Sequence, residues 1–257
     1  MCTIAILIEV VDGAPLVLAA NRDEMYARPT RPPEVLSAEP RIAGGVDVLS
    51  GGTWLAVRAD GRFAAVTNQR ALAQVPPGLR SRGLAVRELA AASDPDAYVA
   101  ALDPKAYASM NLVWNSARGV SIAYARRDEG SLEIERLAPG IHVLCNDRLG
   151  AAGFPRCERL TSAIASALEH GVGWPALAAQ LAILLGDHTR NALADTPPSH
   201  LPPEVARELT ATCIHTPAYG TRSSTLVAIA PGRVVDYLHA DGPPCTTPFV
   251  DRKGLLA

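Results

Sequence analysis

Residues 3–11 are almost continuously apolar and β-branched, the pattern of a strand buried on both faces. Asp12-Gly13 is a hairpin turn signal, and residues 16–20 return as a second strand. The apolar run then stops at four polar residues, Asn21-Arg22-Asp23-Glu24. Antiparallel pairing through that hairpin brings Asn21, Arg22 and Asp23 close to Cys2. The form recurs in a strand over 54–58, an Asp60-Gly61 turn and a return over 63–67 that ends at Asn68-Gln69-Arg70. Two return strands that both end in an asparagine-led polar cluster point to one shared site edge.

Residues 26–40 are rich in proline, which predicts an ordered surface loop, and 73–79 a second one. Helices are predicted over 84–91 and 96–102, and strands over 111–114, 120–124, 132–137 and 142–146. Residues 155–170 form an amphipathic pattern, with Leu160, Ile164 and Leu168 recurring every four positions and Gly171 as the stop. Residues 174–185 make a second helix, begun near Pro175 and stopped at Gly186. A polar loop over 189–203 precedes strands over 212–215, 224–229 and 234–238, and the tail from Asp241 is irregular. This order suits an α+β fold of two packed antiparallel sheets flanked by helices, in one domain spanning 1–257.

Composition narrows the function classes. With 24 basic and 26 acidic residues the net charge is -2, which suggests neither a nucleic-acid surface nor an acidic tail. The five cysteines include no C-x-x-C pair, so neither a disulfide framework nor a zinc finger is expected, and an odd count fits free thiols in a reducing compartment. Cys213 and His215 can ligate together, but no motif supports them and no metal is expected. The first apolar run has no basic segment before it and no stretch has the length of a membrane span, so a cytoplasmic protein is expected.

The candidate chemistry starts at position 2. If Met1 is removed, Cys2 carries a free α-amine beside its thiol, pairing a nucleophile with a base of pKa about 8. Arg22 can lower the thiol pKa, and Asp23 can orient the α-ammonium. Regular alternation points Arg22 and Asp23 to opposite faces, so both serve one site only if a bulge or turn starts there. Asn68, Asn111 and Asn146 sit near strand ends, where an amide side chain can donate to an oxyanion, and Asn68 and Asn146 are better placed than Asn111. Tyr219-Gly220-Thr221-Arg222-Ser223-Ser224-Thr225 is a dense polar stretch that can deliver Arg222 into a cleft as an anion clamp.

Several of these pieces, in order along nearly the whole chain, resemble the NRDE or transport and Golgi organisation protein 2 family. They are Met1-Cys2-Thr3-Ile4, Asn21-Arg22-Asp23-Glu24 with Tyr26-Ala27-Arg28-Pro29, Gly51-Gly52-Thr53-Trp54-Leu55, Thr67-Asn68, Ser81-Arg82-Gly83, Asn111-Leu112 and the 219–225 stretch. The resemblance implies a four-layer αββα sandwich like that of N-terminal-nucleophile hydrolases, which cut amide bonds. It implies Cys2 as nucleophile, Arg22 and Asp23 as its neighbours, Asn68 and Asn146 as oxyanion or substrate contacts, and Arg222 as a late arginine. The remaining motif residues Asn21, Trp54, Arg82, Asn111, Tyr219, Ser223 and Ser224 are expected to bind ligand. The cysteine branch of those hydrolases includes penicillin V acylases and bile salt hydrolases, where the arginine and aspartate lie a few residues apart, whereas Arg22 and Asp23 are adjacent. The family usually shows Ser where this chain has Cys145. The substrate expected is a non-peptide or small amide (C–N) bond, with no cofactor required. The alternative is a non-enzymatic protein that binds and traffics haem or an acyl-CoA or lipid ligand.

Overall fold

The computed structural model describes residues 2–69, 76–169, 173–197, 199 and 201–257. The expected roles of Met1 and Arg70, part of the 73–79 loop, the helix end at His170 and Gly171, and Pro198 and His200 of the 189–203 loop lie outside the described residues.

The apolar start of the chain forms β1 (Cys2–Ile8) and β2 (Leu16–Met25), paired antiparallel with Ile4 opposite Ala20 and Cys2 opposite Arg22. Gly13 takes the left-handed conformation of the turn, with φ of 73°. These strands sit inside a six-stranded sheet with β10 (Gly140–Leu144) on one side and β11 (Tyr219–Ala230), β12 (Arg233–Ala240) and β13 (Val250–Asp251) on the other. The second sheet is a seven-stranded meander in chain order. It contains β3 (Thr30–Ser37), β4 (Ile42–Asp47), β5 (Leu55–Arg58), β6 (Phe63–Asn68), β7 (Met110–Ser116), β8 (Gly119–Arg126) and β9 (Ser131–Arg136).

Alternation along β1 and β2 decides what each face meets. Ile4, Ile6, Leu16, Leu18 and Ala20 pack against Val57, Phe63 and Ile122 of the second sheet, forming the core between the sheets. Ala5, Leu7, Val17 and Ala19 face the other way, onto Leu160 and Ile164 of α3 (Pro155–Glu169) and Leu177 and Leu181 of α4 (Trp174–Leu185). The outer face of the second sheet, with Ala64, Leu112 and Trp114, is covered by Val86 and Leu89 of α1 (Arg82–Ala91) and Val99 of α2 (Pro95–Ala100). Each buried Leu, Ile or Val contributes roughly 1.5–3 kcal/mol of transfer free energy. The two antiparallel sheets are therefore flanked by helices. Ser81 caps α1 by accepting from the Leu84 N–H, and Gly186 ends α4.

Several expected boundaries are corrected. Asn21-Arg22-Asp23-Glu24 does not follow β2 but lies within it, because residues 219–225 continue as β11 alongside and give that backbone its hydrogen-bond partners. The proline-rich 26–40 stretch contains β3, tolerated because β3 is an edge strand and its ladder shifts register twice. Residues 212–215 are not a strand and make only an isolated bridge, His215 to Gly220. Within the 189–203 loop a short 3-10 turn forms at Leu193–Asp195, and α5 (Pro203–Glu208) follows. The expectation of free thiols throughout holds for Cys2, Cys213 and Cys245 but not for Cys145 and Cys157, which form a disulfide. The start of α3 brings Cys157 back against the end of β10, a closure that a separation of 12 residues does not announce.

Candidate active site

Cys2 and Arg22 continue the face of β1 and β2 that builds the core between the sheets, at the point where its apolar residues run out. A cleft of about 490 Å³ opens there, lined by Cys2, Arg22, Asp23, Trp54, Asn68 and Arg82 among others. The ends of β2 and β6 thus reach one cavity together with the start of β1. Register adds Ser223, which stands opposite Arg22 on β11, so Cys2, Arg22 and Ser223 form a row across three strands. The Ser223 hydroxyl is buried and has no hydrogen-bond partner among the described residues.

The Arg22 guanidinium lies 4.3 Å from the centroid of the Trp54 ring. Its Nη2 is 3.9 Å from Glu24, while Nη1 is buried without a hydrogen-bond partner among the described residues. Trp54 holds its place because residue 45 is glycine: a Cβ there would come within 2.2 Å of the indole. Arg28 ties Asp47, at 2.7 Å, to Glu24, at 3.8 Å, along the rim. Arg82 reaches the wall because the backbones of Gly52 and Gly83 touch, with the Thr53 N–H donating to the Gly83 carbonyl at 3.0 Å. Arg82 donates to the Ser109 carbonyl and makes no ion pair among the described residues. The cleft therefore holds two guanidiniums whose charge is not fully neutralised by neighbouring carboxylates.

Asp23 is 1% exposed. Its Oδ1 accepts from the Thr221 hydroxyl at 2.7 Å, and its carbonyl accepts from the Tyr219 hydroxyl at 3.1 Å. Burial pushes its carboxyl pKa up, opposed by Arg156 and by the Thr221 hydrogen bond. The register of β11 shifts between Thr221 and Ser223, so Arg222 is the extra residue of a bulge beside Arg22 and Asp23. The irregularity at this point lies on β11, and the β1–β2 ladder itself has no register shift.

Burial also raises the Cys2 thiol pKa, even though part of the residue remains open to the cleft. The Arg22 cation and a hydrogen bond from the Asp23 backbone N–H favour the thiolate, while the nearby Asp23 carboxylate opposes it. The expected lowering by Arg22 is present but smaller than the desolvation that offsets it.

The asparagines divide. Asn68 lines the cleft. Asn146 does not: its Nδ2 donates to the Asn68 carbonyl at 2.7 Å and its Oδ1 accepts from Arg156 at 3.3 Å, so it braces Asn68 from behind. Asn111 is fully buried, bonded to Thr67, Gln69 and the Asp147 carbonyl. Asn21 faces the helices, donating to the carbonyls of Leu185 and Thr212 and accepting from Ser224. Arg222 points to Tyr26, donating to its carbonyl at 2.9 Å. Asn21, Asn111, Asn146, Arg222, Tyr219, Ser223 and Ser224 are thus absent from the cleft lining, although Tyr219 and Ser223 touch it through Asp23 and the Arg22 row. Sequence reasoning missed Thr221, which lies in a noted stretch but was not singled out, and Arg156, which looks like one more polar position on an amphipathic helix.

Comparison with known proteins agrees with this architecture. Residues 1–240 match the family model for Transport and Golgi organisation 2. The chain is 31% identical over 229 residues to the Transport and Golgi organization protein 2 homolog of Bos taurus, covering 83% of this chain and 82% of that one. Its fold is similar to a variant of the conjugated bile acid hydrolase from Clostridium perfringens, with a TM-score of 0.55 at 12% identity over 100% of this chain and 94% of that chain. It is also similar to penicillin V acylase from Agrobacterium tumefaciens, with a TM-score of 0.50 at 10% identity over 98% and 86% of the two chains.

Proposed function

The chain belongs to the Transport and Golgi organisation 2 family, and from that premise we propose that it is an N-terminal cysteine hydrolase acting on a non-peptide or small amide (C–N) bond. The αββα sandwich of the N-terminal-nucleophile hydrolases, built as a single domain, would carry the site. The observation that carries the reading is the pairing of Cys2 with Arg22 at the start of β1, on the floor of the cleft, with Asp23 buried beside them.

Removal of Met1 frees the α-amine of Cys2. That amine takes the thiol proton, which supplies the base that a buried, raised-pKa thiol needs. The sulfur attacks the amide carbonyl, and the oxyanion is met by the side-chain amide of Asn68 and a backbone N–H. The C–N bond breaks as the ammonium returns its proton to the leaving amine. Water then hydrolyses the thioester, releasing a carboxylic acid and restoring the thiol. Asp23 orients the α-amine, Asn146 positions Asn68, and Arg22 stabilises negative charge at the sulfur.

A second reading rests on the same raised thiol pKa: a cleft whose burial disfavours the Cys2 thiolate suits a carrier for haem or an acyl ligand that never uses the thiol. The deciding experiment is intact-mass analysis after a limiting dose of a thiol-reactive acylating probe, with the site mapped, followed by an amide screen with Cys2→Ala as control. Loss of Met1, labelling at Cys2 ahead of Cys213 and Cys245, and turnover lost in Cys2→Ala support the hydrolase. Retained Met1, or turnover that survives Cys2→Ala, overturns it. Stoichiometric ligand binding without turnover favours the carrier.

A further inference from the structure

Three loops converge behind the site end of β2 and β11: the segment after α4, the segment before β11, and the segment after β12. They bring together His188, Cys213, His215 and Cys245, whose ligand atoms all lie within 4.8 Å of one another. The sulfurs of Cys213 and Cys245 are 3.8 Å apart, and His215 Nε2 lies 3.6 Å from the first and 3.3 Å from the second. The rings of His188 and His215 stand 5.0 Å apart. A tetrahedral zinc ion, with bonds of about 2.3 Å to sulfur and 2.0–2.1 Å to nitrogen, requires ligand-to-ligand edges of about 3.3–3.8 Å. The three measured spacings fall on those edges before any ion is considered.

We propose that His188, Cys213, His215 and Cys245 form a closed, tetrahedral Cys2His2 site for zinc or a similar thiophilic divalent cation, and that the ion is structural.

The surroundings are those of a built site. His188 Nδ1 lies 3.1 Å from the Cys213 carbonyl. A carbonyl only accepts, so the proton sits on Nδ1 and the lone pair of Nε2 is left for the metal. The Cys213 N–H donates to the Asp187 carbonyl at 2.8 Å, and Asn21 holds both the Leu185 and Thr212 carbonyls, fixing two of the ligand-bearing segments to each other. The third segment packs closely on Gly186, where a Cβ would lie 3.3 Å from the Cys245 backbone.

Four protein ligands leave no open position, which distinguishes this site from a catalytic metal centre. Its link to the cleft is mechanical. The Thr221 hydroxyl accepts from the Ile214 N–H at 2.9 Å and donates to Asp23 at 2.7 Å, so the ligand-bearing segment is two hydrogen bonds from the buried carboxylate. An ion clamping residues 213–215 would hold Asp23 in place from behind.

The test uses the full chain without a polyhistidine tag, fully reduced, titrated anaerobically with cobalt(II) alone and then with zinc(II). Expected are saturation at one equivalent, a thiolate-to-cobalt charge-transfer band with the intense visible bands of a tetrahedral site, and bleaching by zinc. Bound zinc should shield Cys213 and Cys245 from alkylation. Cys245→Ser and His215→Ala, both at exposed positions and checked for native circular dichroism, should each weaken binding by roughly tenfold or more. The proposal is overturned by an octahedral or absent cobalt spectrum, by variants that bind as well as the parent, or by a Cys213–Cys245 disulfide that persists under reductant. The readout does not depend on turnover, so it fails or succeeds independently of the hydrolase reading.

Discussion

Cys2 and Arg22 stand opposite each other across the β1–β2 ladder, on the face that meets the second sheet, and Arg22 is held there by its stack on Trp54. The guanidinium is one of the groups favouring the thiolate against the burial that raises the Cys2 pKa. Arg22→Met should therefore move the thiol pKa further upward. Alkylation of Cys2 at neutral pH should slow by roughly tenfold, as expected for loss of a nearby opposite charge. Arg22→Lys should recover part of the rate. The pH–rate profile of alkylation, mapped to Cys2, reads this directly, and an unchanged profile would remove Arg22 from the argument.

Asp23 presents the usual conflict between a buried charge and stability. Its folded-state pKa is raised, so as pH climbs above the ordinary carboxylate value the unfolded chain ionises first, and stability declines until the folded state also ionises. Asp23→Asn keeps an acceptor for the Thr221 hydroxyl and removes the charge. It should be as stable as the parent at neutral pH, or more stable by ~1 kcal/mol, and lack the acid-range decline. Turnover should be lost. Denaturant unfolding at several pH values, beside an activity assay, separates the two effects.

Asn146 acts on the cleft only through Asn68. Asn146→Asp can still accept from Arg156 but cannot donate to the Asn68 carbonyl, and Asn146→Ala loses both contacts. Leaving that carbonyl unpaired should cost about 1–3 kcal/mol in either variant. If Asn68 serves the transition state, both variants should lower kcat more than they raise KM. A change confined to KM would assign Asn68 to ground-state binding.

Gly45→Ala places a methyl group 2.2 Å from the Trp54 indole, which must move and release Arg22 from its stack. A stability loss of about 1–3 kcal/mol is expected. Trp54→Ala should cancel much of the added cost of Gly45→Ala, because the two residues share one space. A double-mutant cycle on unfolding free energies checks this, and strict additivity would contradict it.

His239 is buried on β12, with its Nδ1 3.0 Å from the Thr225 hydroxyl and its pKa lowered to about 4, by burial first and by Arg252 second. The unfolded chain takes up this proton near pH 6.5, and the folded chain only near 4. The stabilisation is therefore full above 6.5 and is lost as pH falls toward 4, by up to about 3 kcal/mol. Thermal unfolding scans over that range should show the slope, and His239→Gln should flatten it.

Local periodicity determined much of this protein. The β-branched run, the Asp12-Gly13 turn and the polar cluster after it are enough to set Cys2 beside Arg22, because a hairpin register is a local property. The spacing of Leu160 and Ile164 likewise determined which side of α3 is buried, and the paired sheets follow from the order of strands and helices. Only the tertiary structure decided the rest. Residues 21–24 belong to β2 because β11, some two hundred positions later, supplies the hydrogen bonds on their open side. Asn21, Asn111 and Asn146 look alike as strand-end asparagines, yet each is committed to carbonyl groups brought from distant segments, while Asn68 is left facing the cleft. The four metal-ligand candidates lie in three segments joined by no motif, and only the docking of those loops makes them a cluster. A residue's face is set by its neighbours two to four positions away. Its partner is set by which surfaces desolvate together, and that is decided when the sheets and helices pack.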